Sequence, residues 1–359
     1  IPVPQVTLPI GISFFTFQGL SYVIDVFRDD AAVQKSPLKL ALYISFFPQL
    51  VAGPIVRYTT VADEIDERHE SVSEFSAGAV RFLFGLAKKM LLANAVAQIA
   101  DAAFSAVSPS VALAWLGAVS YTFQIYFDFS AYSDMAIGLG RMFGFHFLEN
   151  FNYPYVSRSI TEFWRRWHIS LSTWFRDYVY IPLGGNRCSR ARNILNLFIV
   201  WFLTGLWHGA SWNFICWGLW FFVLLIGEKF VWGKALSRLP ALLQHLYTML
   251  LVVFSWVLFR ADTLGAALTY FAAMFGSSGV FCGERVIYYA LEFWPELLCC
   301  CVAALPVKTL LETALEERDS RISRAVLIAG PKLASLALLT LSYCKLVTGS
   351  FNPFIYFRF

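Results

Sequence analysis

The heptapeptide LWHGASW holds His208 between two tryptophans at the end of a long apolar run. Imidazole can act as a general base near neutral pH, and an ionisable side chain within an apolar segment is costly enough to indicate a function. Trp207 and Trp212 are expected to give it a dry surround, and Gly209 lets a ligand or another backbone approach closely. Asn213 could orient the ring or donate a hydrogen bond to an oxyanion. The alternative is a buried histidine bonded to a neighbouring carbonyl.

A second histidine, His168, lies in a stretch that begins with a helix-start signal. Ser159 followed by Glu162 is a capping-box pattern, which predicts a helix to about Phe175. The residues that would share one broad face of this helix are Trp164, Trp167, His168, Leu171 and Phe175. Because charged residues interrupt the helix, it is predicted to be interfacial or re-entrant, with its aromatic face against the protein.

Arginines crowd this helix and the turn-rich loop IPLGGNR that follows it. Between positions 158 and 192 they are Arg158, Arg165, Arg166, Arg176, Arg187, Arg190 and Arg192. Such a bias beside membrane segments marks the cytoplasmic side. It could serve orientation and lipid headgroups alone. It could also dock a phosphate-rich cytoplasmic ligand such as coenzyme A, with Arg165, Arg166 and Arg176 as binding candidates, because arginine binds phosphate bidentately.

The remaining polar candidates carry weaker signals. His69 lies in a polar, acidic stretch, His146 near a predicted membrane interface and His245 at a helix end. Each is expected to be an ordinary polar residue. Asp128 and Asp134 lie in the apolar segment YFDFSAYSDM. Intramembrane carboxylates can line a pathway, or they can hold helices together by hydrogen bonds.

The composition describes the kind of protein that must position these residues. Hydrophobic residues make up 58% of the 359 residues and charged residues 14%, with a mean hydropathy of +0.59. A soluble domain carries about 25% charged residues, so an ordinary cytosolic domain is excluded, as is a disordered chain. A net charge of +4 gives little support for a nucleic-acid partner. The seven cysteines form no CxxC pair with a histidine partner, so no zinc site, disulfide framework or resident cofactor is predicted.

Eight apolar stretches approach the roughly 20 residues that span a bilayer. They are residues 38–56, 80–100, 111–127, 194–207, 212–226, 242–259, 286–305 and 325–347. Helix is the default in lipid, because every backbone group must be satisfied within the segment. Polar residues, Gly and Pro interrupt the stretches, which indicates a packed body with an interior. Residues 1–359 are therefore predicted to form one all-α integral membrane domain, and the acidic stretch 63–74 a solvated loop.

Blocks of sequence in a fixed order resemble the membrane-bound O-acyltransferase (MBOAT) family, and are closest to its bacterial alginate O-acetyltransferase branch. The family signature is similar to FWRRWHISLSTWFRDYVYIPLGG at 163–185. Further blocks are FPQLVAGPIVRY at 47–58, YFDFSAYSDMAIGLGRMFGF at 126–145, LTGLWHGASWNFICWG at 203–218 and NPFIYFRF at 352–359. The resemblance covers essentially the whole chain.

The resemblance implies an integral membrane acyltransferase with a multi-helix bundle, re-entrant or interfacial helices and a central passage. It implies that His208 is the essential catalytic residue and that His168 is the family's second recurring histidine, with a catalytic or a structural role. It further implies acetyl-CoA as the cytoplasmic acyl donor, a multi-pass protein of the bacterial inner membrane, and a secreted esterase-like transferase that modifies an exported glycan. Since the family usually begins with further helices, a chain that starts at Ile1 is expected to lack them.

Two other functions fit the residues without this chemistry. One is a transporter that uses Asp128 and Asp134 as pathway charges, and the other is a structural subunit of a polysaccharide export complex. A transporter is expected to show inverted repeats with broken helices in matching halves, and the sequence gives no sign of such a pair. For the enzyme, the candidate acceptors are alginate, peptidoglycan, cellulose or another cell-surface glycan.

Overall fold

Helices make up all the regular structure in the described part of the chain, which comprises residues 11–51, 53–209, 211–318, 320–348 and 353–354 of a computed structural model. The absence of strands from these ranges confirms the predicted all-α class. The helices, in chain order, are α1 (Ile12–Phe27), α2 (Pro37–Ser45), α3 (Tyr58–Asp66), α4 (Val72–Phe104), α5 (Val111–Met142), α6 (Ile160–Arg166), α7 (Ile169–Phe175), α8 (Arg190–His208), α9 (Trp212–Leu236), α10 (Ala241–Arg260), α11 (Leu264–Met274), α12 (Glu284–Glu292), α13 (Trp294–Ala303), α14 (Val307–Arg318) and α15 (Arg321–Thr348).

The long apolar helices make this a multi-pass membrane protein, as predicted. Within the described ranges, α4, α9, α10 and α15 are long and apolar enough to cross a membrane. α12 and α13 reach that length only together, and the chain bends by 63° between them. The bend makes this pair either a broken span or a re-entrant loop.

The stretch 38–56 is not a span, and its prediction as one was wrong. α2 ends at Ser45, and a 3-10 turn (Phe47–Gln49) follows it. Pro48 explains the break, because it has no N–H to donate and its ring would clash with the carbonyl of Ile44 in a continued α-helix. The predicted acidic loop is also shorter than expected, since α3 and α4 take in all of it except residues 67–71.

Ion pairs inside the bundle join α4 to α5. A π-helical segment, Lys88–Ala93, interrupts α4. From its start, Lys88 Nζ contacts Asp134 Oδ2 at 2.6 Å, and Lys89 pairs with Asp128. The two carboxylates of α5 thus hold neighbouring helices together, which is the structural one of the two roles considered for them.

The predicted helix over 159–175 begins where expected but is broken in the middle. Ser159 Oγ accepts the N–H of Glu162 at 3.0 Å, which confirms the cap. The chain then leaves the helix, and His168 takes up a left-handed conformation with φ 44° before α7 begins. Asn150 makes the second start possible, because its oxygens accept the first N–H groups of α7. The expectation of one continuous helix was wrong.

A close crossing of α8 and α9 fixes the end of α8, where His208 lies. A Cβ atom on Gly205 would be 2.6 Å from the carbonyl oxygen of Phe214, and one on Gly218 would be 2.3 Å from that of Trp201. Only residues without a side chain allow two membrane helices to approach so closely. The crossing therefore holds the last turn of α8 in place.

Candidate active site

His208 ends α8 and lies among aromatic rings of α8, α9 and α10. The ring centroids of Trp207, Trp217 and Phe259 are 4.7, 4.9 and 5.1 Å from the centroid of the imidazole. Within the described residues, neither ring nitrogen of His208 has a hydrogen-bond partner. The imidazole is therefore available to a substrate and is not bonded to any carbonyl of the described chain.

His168 lies between α6 and α7 and is 1% exposed. Phe129 meets it edge-on, with 4.6 Å between the ring centroids. Its Nδ1 atom is 3.2 Å from Oδ1 of Asn150. Its Nε2 atom is buried and has no hydrogen-bond partner in the described chain. His168 thus offers one ring nitrogen to the protein and leaves the other for a ligand.

The two histidines line one cavity of about 20 Å³. The full lining is Ile125, Phe129, Trp164, Trp167, His168, Leu171, His208, Trp217, Trp256 and Phe259. Apart from the imidazoles, every lining side chain is aliphatic or aromatic. This volume has room for about one water-sized group. In such a dry space a hydrogen bond or a charge on imidazole acts more strongly than it would in water.

A second cavity, of about 150 Å³, adjoins the first. Trp164 and Leu171 line both cavities, so these two side chains form the wall between them. The other residues that line the second cavity are Ser172, Phe175, Arg176, Tyr180, Leu197, Val200, Trp201 and Thr204. On the far side of this wall, the second cavity leads to Arg176 at the edge of the bundle.

Three guanidinium groups gather around Asp177 at that edge. Arg176 Nε and Arg57 Nη2 contact its carboxylate at 2.6 and 2.7 Å, and Arg28 donates to its main-chain carbonyl at 3.3 Å. Burial alone would raise the pKa of the Asp177 carboxyl. The hydrogen bonds from Arg176 and Arg57 nevertheless hold that pKa below its ordinary value. Arg28 and Arg57 also stack on the ring of Tyr178. Two of the three guanidinium groups thus share one carboxylate and the third bonds a main-chain carbonyl, which leaves a positive edge suited to an anion.

The arginines predicted to bind substrate lie in different surroundings. Arg176 lines the second cavity. Arg165 is exposed and lines neither cavity. Arg166 is held by Glu162, with 2.9 Å between Nε and Oε1. The geometry therefore brings Arg176, but not its two neighbours in sequence, to the mouth of the second cavity.

The aromatic surround of His208 differs from the predicted one. Trp212 is 72% exposed, so the expectation that it encloses His208 was wrong. Trp207 packs on the imidazole but does not line the cavity. Asn213 is buried, yet its Nδ2 atom donates to the carbonyl of Ala261 at 2.7 Å. That bond ties α9 to the end of α10 and leaves the His208 ring unoriented by Asn213.

Sequence reasoning missed four residues that shape the site: Asn150, Trp217, Trp256 and Phe259. The aromatic residues lie in largely apolar helices, whose sequence pattern does not distinguish them from lipid-facing residues. Asn150 follows a glutamate in a loop, and no local pattern links it to His168, 18 residues later. Only the fold brings these residues to the cavity.

The other three histidines lie outside both cavities. His69 is exposed. Nδ1 of His146 is 2.7 Å from Oε1 of Glu64, and Nδ1 of His245 is 3.1 Å from the carbonyl oxygen of Ser157. These contacts are those of ordinary polar residues, which agrees with the expectation for each.

Known proteins resemble this chain over most of its length. The family model for MBOAT, membrane-bound O-acyltransferase family, matches residues 11–271. "Probable alginate O-acetylase AlgI" of Pseudomonas aeruginosa is 49% identical over 271 residues, which are 76% of this chain and 52% of that protein. The protein of that name from Azotobacter vinelandii is 41% identical over 383 residues, or 99% of this chain and 77% of the relative. "Peptidoglycan O-acetyltransferase" of Helicobacter pylori is 38% identical over 305 residues, covering 76% of this chain and 58% of that protein.

The chain thus spans about half the length of the Pseudomonas relative. Identity of this extent, together with the family match over residues 11–271, confirms the resemblance inferred from the sequence blocks. The chain belongs to the membrane-bound O-acyltransferase family.

Proposed function

We propose that this protein is a membrane O-acyltransferase. It moves an acetyl group from acetyl-CoA toward an exported polysaccharide such as alginate. The observation that supports this most strongly is the single dry cavity shared by His208 and His168. A glycan as the final acceptor is supported by relatives named alginate O-acetylase and peptidoglycan O-acetyltransferase. The proposed location is the bacterial inner membrane, with the arginine-rich edge in the cytoplasm.

The donor would enter along the second cavity. Its phosphates would bind at the edge formed by Arg28, Arg57 and Arg176, the three guanidinium groups gathered around Asp177. Its pantetheine arm would lie along α8, and the thioester would pass the wall formed by Trp164 and Leu171 to reach the histidines. The inner cavity is too small for a long acyl chain, which supports a short acyl group such as acetyl.

The proposed reaction is a direct acyl transfer in which His208 is the general base. His208 takes the proton of the acceptor hydroxyl as the hydroxyl oxygen attacks the thioester carbonyl carbon. The tetrahedral intermediate then collapses, the carbon–sulfur bond breaks, and the leaving thiolate takes the proton back from the imidazolium. No net proton is gained or lost, and neither step needs an oxidant or a reductant.

The proposed direct acceptor is not the polysaccharide itself, because a long hydrated glycan would lose its water to enter a dry space of about 20 Å³. A compact carrier fits better: the nucleophilic side chain of a secreted esterase-like transferase on the side of the membrane opposite the arginine-rich edge. That partner would accept the acetyl group and pass it to the glycan.

Reconstitution tests this proposal. Full-length protein in proteoliposomes receives radiolabelled acetyl-CoA on the arginine-rich side, with or without a candidate secreted esterase-like transferase. Slow release of coenzyme A is expected from the protein alone, and acetylated polymer only when the partner is present. If no thioester is consumed in either case, the enzyme proposal fails. Efficient acetylation of polymer by the protein alone would refute the relay.

A further inference from the structure

Asn150 contacts the imidazole of His168 through the oxygen of its side-chain amide. It is fully buried, and its Oδ1 atom accepts the main-chain N–H of Ser170 at 3.1 Å and the hydroxyl of Ser170 at 2.9 Å. Its main-chain carbonyl accepts the N–H of Ile169 at 2.9 Å. Asn150 therefore caps α7 with two oxygens while it contacts the histidine that precedes that helix.

These contacts decide which nitrogen of His168 carries the proton. A main-chain N–H can only donate, so the amide atom that faces Ser170 is the oxygen. That oxygen is also the atom 3.2 Å from Nδ1 of His168, and two acceptors do not bond each other. The hydroxyl of Ser170 is 3.5 Å from Nδ1, but its proton is given to the same oxygen. His168 is therefore protonated at Nδ1, and Nε2 carries a lone pair.

Two further observations indicate that this arrangement serves a ligand. Nε2 of His168 is buried with no partner in the described chain, although leaving a buried polar atom without a hydrogen bond destabilises the fold. In addition, His168 has φ 44°, a left-handed conformation that is strained for a residue with a Cβ atom. Strain and an unused acceptor at one residue are typical of a site built to bind something.

We propose that Asn150 is a positioning residue for acyl transfer: its amide oxygen holds His168 as the Nδ1–H tautomer, so that Nε2 accepts a hydrogen bond inside the cavity shared with His208. This inference rests on the proposed function. When His208 takes the acceptor's proton, it becomes a cation in the cavity that His168 also lines, and the lone pair on Nε2 of His168 favours that positive charge. His168 thereby stabilises the imidazolium without itself becoming protonated.

The surroundings of His168 let its protonation be followed separately. Among the described residues, His208 is the other titratable side chain that lines the cavity of His168. The rings that pack around it are uncharged: Phe14, Phe129, Phe151 and Trp207. A carboxylate placed at position 150 would therefore be the new charge next to the imidazole and would favour its protonated form.

Three variants of the full-length protein in proteoliposomes test the inference by kcat, KM for acetyl-CoA and the pH profile. Asn150→Leu should lower kcat by about 10²-fold or more and change KM little, because the tautomer is lost while the donor site is kept. Asn150→Asp should recover kcat at high pH and shift the acidic limb of the profile to higher pH. Ser170→Ala removes a hydrogen bond to Oδ1 of Asn150 but leaves the bond between that oxygen and His168. The acidic limb of its pH profile should therefore match that of the wild type. An Asn150→Leu protein with near wild-type kcat, or an Asn150→Asp profile that coincides with wild type, would overturn the inference.

A spectroscopic measurement keeps this inference separate from the proposed function. Nitrogen NMR of histidine-labelled protein identifies the His168 signals as those absent from His168→Gln. A protonated Nδ1 and an unprotonated Nε2 are expected in the wild type, with both tautomers populated in Asn150→Leu. Protonation at Nε2 in the wild type would overturn the inference, whatever the activity. If the wild type shows the expected tautomer but consumes no thioester, the enzyme proposal fails and the assignment of Asn150 as the residue that sets the tautomer stands.

Discussion

Lys89 and Asp128 pair inside the bundle with side-chain exposures of only 6% and 3%. Lys89 also donates to the carbonyl of Pro353 at 3.1 Å. Removing one member of a buried ion pair takes away a charge that stabilises the other, at a cost of about 3–5 kcal/mol. Lys89→Met and Asp128→Leu are therefore each expected to lower the free energy of unfolding by that amount. The double variant should return to within about 2 kcal/mol of wild type, because the interior then holds neither charge.

The assay is reversible unfolding of the protein in mixed micelles, titrated with a denaturing detergent. Lys39 and Asp66 supply the control, since they also form an ion pair but are 43% and 49% exposed. Lys39→Met should lower the free energy of unfolding by about 1 kcal/mol or less. The expected cost of breaking a buried ion pair would be contradicted if the single interior variants lost as little free energy of unfolding as this control. It would also be contradicted if the double variant lost as much as the two single variants together. Such a result would also reopen the role of Asp128 as a charge on a transport pathway.

Three other changes test the donor route. Ser172→Trp should fill much of the second cavity and lower kcat/KM for acetyl-CoA at least about tenfold, whereas Ser172→Ala should not; equal kinetics for the two would argue against this route. Arg176→Ala should raise KM by roughly tenfold through a lost charge-assisted hydrogen bond, and Arg165→Ala should raise it less because that side chain lines neither cavity; the reverse order would contradict the assignment. Cys188, in a protein without the other cysteines, should react with an impermeant thiol reagent only from the cytoplasmic side, and labelling from outside intact cells would reverse the proposed orientation.

Much of the fold could be predicted because lipid imposes simple rules on a sequence. Apolar length predicts the spans, and the four helices that meet the length test lie where hydropathy placed them. The start of α6 followed from a local capping pattern, which needs only a few neighbouring residues. The span predicted over 38–56 failed because hydropathy alone does not register the effect of Pro48 on the backbone.

His208 was identified from the sequence because an ionisable residue in an apolar segment is conspicuous, and His168 because it matches the family's second recurring histidine. Their meeting in one cavity was not predictable, since it depends on the crossing of α8 and α9 and on the left-handed turn at His168. Asn150 was missed for the same reason. Its role arises from distances across the fold, and an asparagine in a polar loop has no distinctive local pattern.

A comparison of two proteins tests whether His208 is the general base of acyl transfer. Wild type and His208→Gln, both full-length and purified into proteoliposomes with the secreted partner, are compared by the rate at which thiol is released from acetyl-CoA. Glutamine keeps a polar side chain of similar size but cannot take a proton, so the rate should fall by about 10²–10⁴-fold while the free energy of unfolding stays near that of wild type. A His208→Gln protein that releases thiol at close to the wild-type rate would contradict the account.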